Sequence, residues 1–112
     1  MKNINKSVII KDKEINNNNP FTLIAGPCVI ESSDHAISMA TKIKAICDEL
    51  SIKFIYKSSF DKANRSSNKT FRGFGITEGL RILEKVKSQI DVPILTDIHT
   101  AEQVEEVASV VD

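Results

Sequence analysis

Phe54-Ile55-Tyr56-Lys57-Ser58-Ser59-Phe60-Asp61-Lys62 is the stretch of sequence that decides the fold. Its first three residues form a short apolar run, which is typical of a buried strand. Cations and neutral hydrogen-bonding side chains follow at once over residues 57–67. The pattern predicts a strand that opens at its carboxyl end into a loop suited to binding anions.

Apolar runs with the same character lie before and after this stretch. Phe21-Thr22-Leu23-Ile24-Ala25 ends at Gly26-Pro27, and its continuous apolar character predicts a strand buried on both faces. Ile94-Leu95-Thr96-Asp97-Ile98 is the third predicted strand.

Helical periodicity lies between the strands, from about residue 34 to 50 and from 77 to about 89. Ser32 or Ser33 is the expected N-cap of the first of these helices. The predicted core-packing face of that helix carries Ile37, Ala40, Ile43, Cys47 and Leu50. A third helix is expected from Thr100, because Thr100 and Gln103 have capping-box spacing. Residues 110–112 are either the end of that helical segment or the beginning of a fourth strand.

The alternation of strands and helices predicts an α/β fold with parallel strands. Two architectures fit this alternation, a doubly wound sheet and a (β/α)8 barrel. A barrel needs typically about 250 residues. The turn after the first strand lacks the GxGxxG fingerprint of dinucleotide-binding folds. Residues 1–20 are interpreted as an N-terminal arm or hairpin with a strand at Val8-Ile9-Ile10, or as a disordered leader, and residues 21–112 as part of a barrel.

Composition excludes several classes of protein. The 112 residues are 41% apolar and 27% charged with a net charge of zero, which argues against nucleic-acid partners and membrane surfaces. The sequence contains no secretory signal and no apolar run near the ~18–20 residues of a membrane span. Two cysteines are too few for a disulfide scaffold. A cytoplasmic location is therefore expected.

Reactive side chains follow each predicted strand, and in parallel architectures strand carboxyl ends share one edge. The lysines at this edge, Lys57 and Lys62, can neutralise a phosphate or a carboxylate. The successive amide, guanidinium and hydroxyl groups of residues 64–66 suit the binding of a sugar phosphate. Asp97 and His99 are two residues apart, so both side chains are expected on the same side of the extended chain, where they can handle protons or orient water. Cys28 is a metal ligand, a nucleophile or an inert thiol. The alternative interpretations are that the lysines lie in a solvated loop, that residues 64–66 form an ordinary turn and that the histidine is structural. The candidates are Cys28, Lys57, Lys62, Asn64, Arg65, Ser66, Asp97 and His99.

These motifs together resemble the 3-deoxy-D-manno-octulosonate 8-phosphate synthase family, also called 2-dehydro-3-deoxyphosphooctonate aldolases. The resemblance is collinear from about Phe21 onward and covers the N-terminal part of the family pattern. The sister 3-deoxy-arabino-heptulosonate 7-phosphate synthases share Gly26-Pro27-Cys28 but carry a Lys-Pro-Arg-Thr motif where this chain has Lys57-Ser58-Ser59. The segments that carry the resemblance are residues 24–32, 57–67, 71–73 and 96–99.

The resemblance implies a homotetrameric (β/α)8 barrel with an N-terminal hairpin, here truncated after about three βα units. It implies a transferase that condenses phosphoenolpyruvate with arabinose 5-phosphate, releases phosphate and feeds lipopolysaccharide synthesis. By motif match, Lys57 and Lys62 would hold phosphoenolpyruvate, while Asp97 and His99 would line the reacting centre. The sugar phosphate would be held by Asn64, Arg65 and Ser66.

The resemblance also implies a cofactor and leaves alternatives for the activity. Cys28 is typical of the metal-dependent branch of the family, which implies zinc or iron(II) with further ligands from later strands. An inactive truncated remnant and a sister synthase remain the alternative functions.

Overall fold

Three parallel strands form the sheet around which the chain is organised. They are β3, Thr22–Ala25, β4, Lys53–Lys57, and β5, Ile94–Leu95, and their order is β3-β4-β5. The computed structural model describes residues 6–62 and 73–112. The predicted α/β class and the parallel pairing of the predicted strands are confirmed, whereas closure into a barrel stays a prediction.

The central strand β4 is buried on both faces, as its apolar run predicts. Alternate residues point to opposite faces of a sheet, and Phe54 and Tyr56 belong to the main apolar core together with Ile94 of the neighbouring strand. Ile55 is equally inaccessible but lies outside that core cluster. One face of the sheet therefore packs against the helices, and the other carries Ile55 and the alternating residue Lys57.

Two helices cover the core face of the sheet. Helix α1, Ser33–Glu49, begins at Ser32, whose hydroxyl accepts a hydrogen bond from the His35 amide at 3.0 Å. Helix α2, Ile76–Val86, continues into a π-helical turn over Lys87–Asp91. Both helices were predicted from their periodicity, and the Ser32 cap confirms one of two predicted serines. The helical side chains buried against the sheet are Ala36, Ala40, Cys47, Leu80, Ile82, Leu83 and Val86.

Three details of the sequence-based prediction are wrong. β3 is not buried on both faces, because it lies at the edge of the sheet and Ile24 is 47% exposed. Leu50 was predicted on the buried face of α1, yet it is 62% exposed because it caps the end of that helix. The third strand stops at Leu95, because the Thr96 hydroxyl donates to the Ser58 carbonyl and the chain then turns toward the next helix.

An antiparallel hairpin precedes the parallel sheet, as one of the two interpretations of residues 1–20 predicted. β1, Val8–Ile10, pairs with β2, Lys13–Ile15, and Lys11 in the turn has a positive φ of 53°. The Lys53 ammonium donates to the Glu14 carbonyl at 3.0 Å and so links the hairpin to β4. The boundary at residue 20 between an arm and a partial barrel remains a prediction.

The last segment returns to the sheet beside β5. A 3-10 turn, Ala101–Gln103, leads into helix α3, Val104–Ala108, and the predicted capping box between Thr100 and Gln103 is present. The Asp112 amide donates to the Ile94 carbonyl at 3.0 Å, although residues 110–112 do not form the fourth strand that was one alternative. None of the helices in the described ranges is long and apolar enough to cross a membrane.

The Asp112 carboxylate joins three parts of the fold. It accepts a hydrogen bond from the Ile94 amide at 3.0 Å, lies 3.2 Å from the Lys87 ammonium and lies 3.8 Å from the Lys11 ammonium of the hairpin. Its side chain is 9% exposed. A mostly buried carboxylate with these partners ties the hairpin and the π-helical turn after α2 to β5.

Replacing Asp112 with alanine should therefore lower the free energy of unfolding by about 2 kcal/mol, the magnitude of a lost hydrogen bond to a charged group. Urea denaturation followed by circular dichroism measures the change. Asp12→Ala is the matched control, because the Asp12 side chain is 86% exposed and lies near one lysine at 3.8 Å. Equal losses of unfolding free energy in the two variants would show that the buried interactions of the Asp112 carboxylate contribute nothing to stability.

Candidate functional site

A cavity of about 500 Å³ opens at the carboxyl edge of the parallel sheet. Its wall contains side chains that follow each of the three strands. Five of the predicted site residues are among them: Cys28, Lys57, Lys62, Asp97 and His99. Ile24, Ala25, Gly26, Pro27, Ser59 and Asp61 complete the lining. Convergence of the three strand ends on one edge was predicted from the alternation of elements, and the cavity is its structural result.

Gly26 allows the end of β3 to approach the end of β4. A Cβ atom at this position would overlap the carbonyl oxygen of Lys57. The absence of a side chain at Gly26 therefore sets the separation between the backbone that carries Cys28 and the backbone that carries Lys57.

Two hydroxyl groups join the strand ends behind the cavity. The Ser58 hydroxyl donates to the Pro27 carbonyl at 2.6 Å, and the Thr96 hydroxyl donates to the Ser58 carbonyl at 2.8 Å. Ser58 is 1% exposed, so its hydroxyl needs this partner. The ends of β3, β4 and β5 are thus connected in series by side-chain hydrogen bonds.

Backbone hydrogen bonds extend the link between the first two strand ends. The Ser59 amide donates to the Cys28 carbonyl at 3.2 Å, and the Ile30 amide donates to the Ser59 carbonyl at 2.9 Å. These bonds continue the parallel pairing beyond the strands and hold the backbone of Cys28 beside that of Ser59.

Asp97 and His99 face each other on the side of the cavity formed after β5. The His99 Nε2 atom lies 3.9 Å from the Asp97 Oδ2 atom, a distance suited to an ion pair when the imidazole is protonated. The His99 backbone amide donates to the Gln103 side-chain oxygen at 2.8 Å, so the capping box of the following helix also anchors this histidine. The prediction that both side chains lie on the same side of the chain is confirmed.

The two cysteines have opposite environments. Cys28 is exposed at the cavity, whereas Cys47 is buried in α1. Burial, with a smaller effect of the Asp48 carboxylate, raises the pKa of the Cys47 thiol. Cys47 is therefore a neutral packing residue, as predicted, and Cys28 is the thiol available for chemistry.

A metal ion would need ligands beyond those in the described part of the chain. Residues 6–62 and 73–112 contain no group of three or more histidine, cysteine, aspartate and glutamate side chains placed to hold one. Cys28 as a metal ligand stays a prediction, and we derive no step from a bound metal. Asn64, Arg65 and Ser66, predicted to hold a sugar phosphate, lie outside the described residues.

Replacing Ser58 with alanine should cost about 1 kcal/mol of stability, because the Pro27 carbonyl loses a short hydrogen bond in a buried setting. Thr96→Val removes the next bond in the series and should cost a similar amount. Thermal denaturation of both single variants and the double variant measures the coupling between them. The two bonds use different groups of Ser58, its hydroxyl and its backbone carbonyl, so each single variant removes one bond. Strictly additive losses would show that the two bonds act independently and would contradict a coupled series.

The fold and the cavity together define the class of protein. Parallel α/β sheets place their ligand sites at the carboxyl ends of the strands, and this cavity adds two cations, a thiol and a carboxylate–imidazole pair. Residues 4–112 match the DAHP synthetase I family, and the chain belongs to that family.

Curated relatives carry a more specific name. The chain is 63% identical over 99 residues to a 2-dehydro-3-deoxyphosphooctonate aldolase of Methylobacillus flagellatus. It is 62% identical over 101 residues to the protein of the same name in Dichelobacter nodosus, and 56% identical over 101 residues to that of Burkholderia cenocepacia. These alignments cover 88–90% of this chain and 36% of each relative. The chain thus spans about a third of the length of the curated relatives it matches.

Proposed function

We propose that the chain contributes the phosphoenolpyruvate-binding part of a 3-deoxy-D-manno-octulosonate 8-phosphate synthase. The observation that carries the proposal is the cavity, in which Lys57 and Lys62 lie with Cys28, Asp97 and His99 at one edge of a parallel sheet. The reaction joins phosphoenolpyruvate to arabinose 5-phosphate and releases phosphate. The names of relatives with 56–63% identity support this assignment.

The electrostatic problem of this reaction explains the lysines. Two anionic metabolites must approach until C3 of one contacts the aldehyde carbon of the other, and cations offset their repulsion. Lys57 and Lys62 provide two ammonium groups for the carboxylate and phosphate of phosphoenolpyruvate. A fixed bound geometry then replaces a bimolecular encounter.

Asp97 and His99 supply the proton chemistry in this proposal. After the carbon–carbon bond forms, water must add to C2 of the former enol, and a nearby base can orient and deprotonate that water. The Asp97 carboxylate and the His99 imidazole line the cavity within 3.9 Å of each other. By motif match, the second substrate is held by Asn64, Arg65 and Ser66.

The remaining proposals come from the family resemblance. A divalent zinc or iron(II) ion held by Cys28 and by ligands from elsewhere would polarise substrate oxygens. A (β/α)8 barrel, a homotetramer, a cytoplasmic location and a role in lipopolysaccharide synthesis belong to the same proposal. The matched relatives are about three times as long as the aligned segment, which supports further strands in the complete enzyme.

A sister 3-deoxy-heptulosonate 7-phosphate synthase is the second candidate, because the matched family carries the DAHP synthetase name. Phosphate release from phosphoenolpyruvate should be measured with arabinose 5-phosphate and with erythrose 4-phosphate as the acceptor. Faster release with arabinose 5-phosphate supports the first proposal, and preference for erythrose 4-phosphate rejects it. If the purified chain shows no turnover with either acceptor, even with divalent metal and at high protein concentration, autonomous catalysis is excluded and the inactive remnant is favoured.

A further inference from the structure

Phe60 is a buried residue between two residues that line the cavity, Ser59 and Asp61, and two glycines lie against it. The residue is 1% exposed and belongs to the main apolar core. A Cβ atom at Gly79 of α2 would overlap the Cβ atom of Phe60, and one at Gly73 would overlap its carbonyl oxygen. The same carbonyl accepts a hydrogen bond from the Gly75 amide at 3.3 Å. The start of α2 therefore leaves Phe60 little freedom to shift.

The Phe60 ring also contacts the His99 ring. The two ring centroids lie 5.8 Å apart with an angle of 73° between the ring planes. Aromatic pairs prefer this T-shaped arrangement at separations of roughly 4.5–7 Å. One side of the imidazole is therefore occupied by a core residue, while the histidine still lines the cavity.

His99 is consequently restrained at two independent points. The Gln103 side chain holds its backbone amide at 2.8 Å, which restrains the main chain but leaves the side-chain torsions free. The Phe60 ring acts on the imidazole itself, which stands 3.9 Å from the Asp97 carboxylate. This ring contact joins the cavity histidine to the apolar core.

We propose that Phe60 is a positioning residue that fixes the orientation of the His99 imidazole and keeps its Nε2 atom toward Asp97. Gly73 and Gly79 contribute to this positioning, because their lack of side chains sets the position of Phe60. The importance of this positioning for catalysis rests on the proposed function, but the positioning itself is a property of the chain. The sequence alone offers no sign of it, because Phe60 reads as an ordinary apolar residue within a polar loop.

Nuclear magnetic resonance of the 112-residue chain with labelled histidine tests the proposal without substrate or turnover. The chain has two histidines, and His35→Gln assigns their signals. The unsubstituted chain should show nuclear Overhauser contacts between the His99 and Phe60 rings. Phe60→Leu should remove the ring-current shift of the His99 imidazole protons and, because the ring is then free to turn, should also weaken the Overhauser contacts between the imidazole protons and Asp97.

Phe54→Leu is the matched control, because Phe54 is a second core aromatic residue at 4% exposure and the ring that contacts His99 is that of Phe60. It should leave the His99 signals in place. Absence of Overhauser contacts in the unsubstituted chain, or equal His99 shifts in the two variants, would overturn the proposal. If Phe60→Leu fails to fold, the contacts in the unsubstituted chain still decide. Failure of the assay for phosphate release leaves this test unaffected, so the two proposals fail separately.

Discussion

Replacing Gly26 with alanine should lower the free energy of unfolding by at least about 3 kcal/mol, the upper end of ordinary overpacking effects. The added methyl group would overlap the Lys57 carbonyl oxygen, which is backbone and cannot swing away as a flexible side chain would. Relief requires the ends of β3 and β4 to separate. Separation would in turn break the Ser58 hydrogen bond to Pro27 and open the cavity. The Gly26→Ala variant should therefore show both a lower free energy of unfolding in urea denaturation and weaker binding of phosphoenolpyruvate.

Gly75→Ala is the matched control for this prediction. Gly75 has a positive φ of 83°, but among the described residues no atom beyond its chain neighbours lies within 4 Å of the position that an added methyl group would take. Alanine there meets backbone strain without a collision, because φ 83° with ψ 174° is a region that glycine alone adopts readily, and the expected cost is about 1–3 kcal/mol. A Gly26 variant as stable as the Gly75 variant would contradict the close approach of the two strand ends.

Replacing Lys62 with alanine should weaken the binding of phosphoenolpyruvate roughly tenfold to a hundredfold. A hydrogen bond between charged groups contributes about 1.5–3 kcal/mol, and each 1.4 kcal/mol is a factor of about ten in affinity. Lys62 is half-buried at the cavity, so its ammonium group is less screened than one on the open surface. Isothermal titration calorimetry of the purified chain measures the loss.

Lys42→Ala provides the control for the lost charge. Lys42 lies exposed on α1 and does not line the cavity, so its removal should change the affinity less than twofold, roughly the effect of a screened surface charge. Lys57→Ala should resemble Lys62→Ala. Equal affinities for the Lys62 and Lys42 variants would remove Lys62 from the proposed site.

Local signals in the sequence were sufficient for much of the fold. The apolar run of β4, the Ser32 cap and the Thr100–Gln103 capping box each depend on neighbouring residues, and all are present in the structure. The exposure of Ile24 could not be predicted, because it depends on the position of β3 at the sheet edge. The early end of β5 depends on a hydrogen bond to Ser58, 38 residues away.

The site was predictable to a similar extent. Parallel strands bring their carboxyl ends together, so the convergence of Lys57, Lys62, Asp97 and His99 followed from the order of elements. The sequence did not reveal that Ser58 joins two strand ends. From the sequence, the Ser58 hydroxyl is expected in a solvated loop. In the structure it donates to the Pro27 carbonyl at 2.6 Å.

Mapping of backbone amide shifts during titration with phosphoenolpyruvate is the most direct test of the proposed anion site. The largest shifts should occur at Cys28, Lys57, Lys62 and His99, around the cavity at the carboxyl edge of the sheet. Shifts centred instead on the polar pocket formed by Lys13, Lys44 and neighbouring residues, or no saturable shift at any amide, would contradict the assignment of this cavity to the substrate.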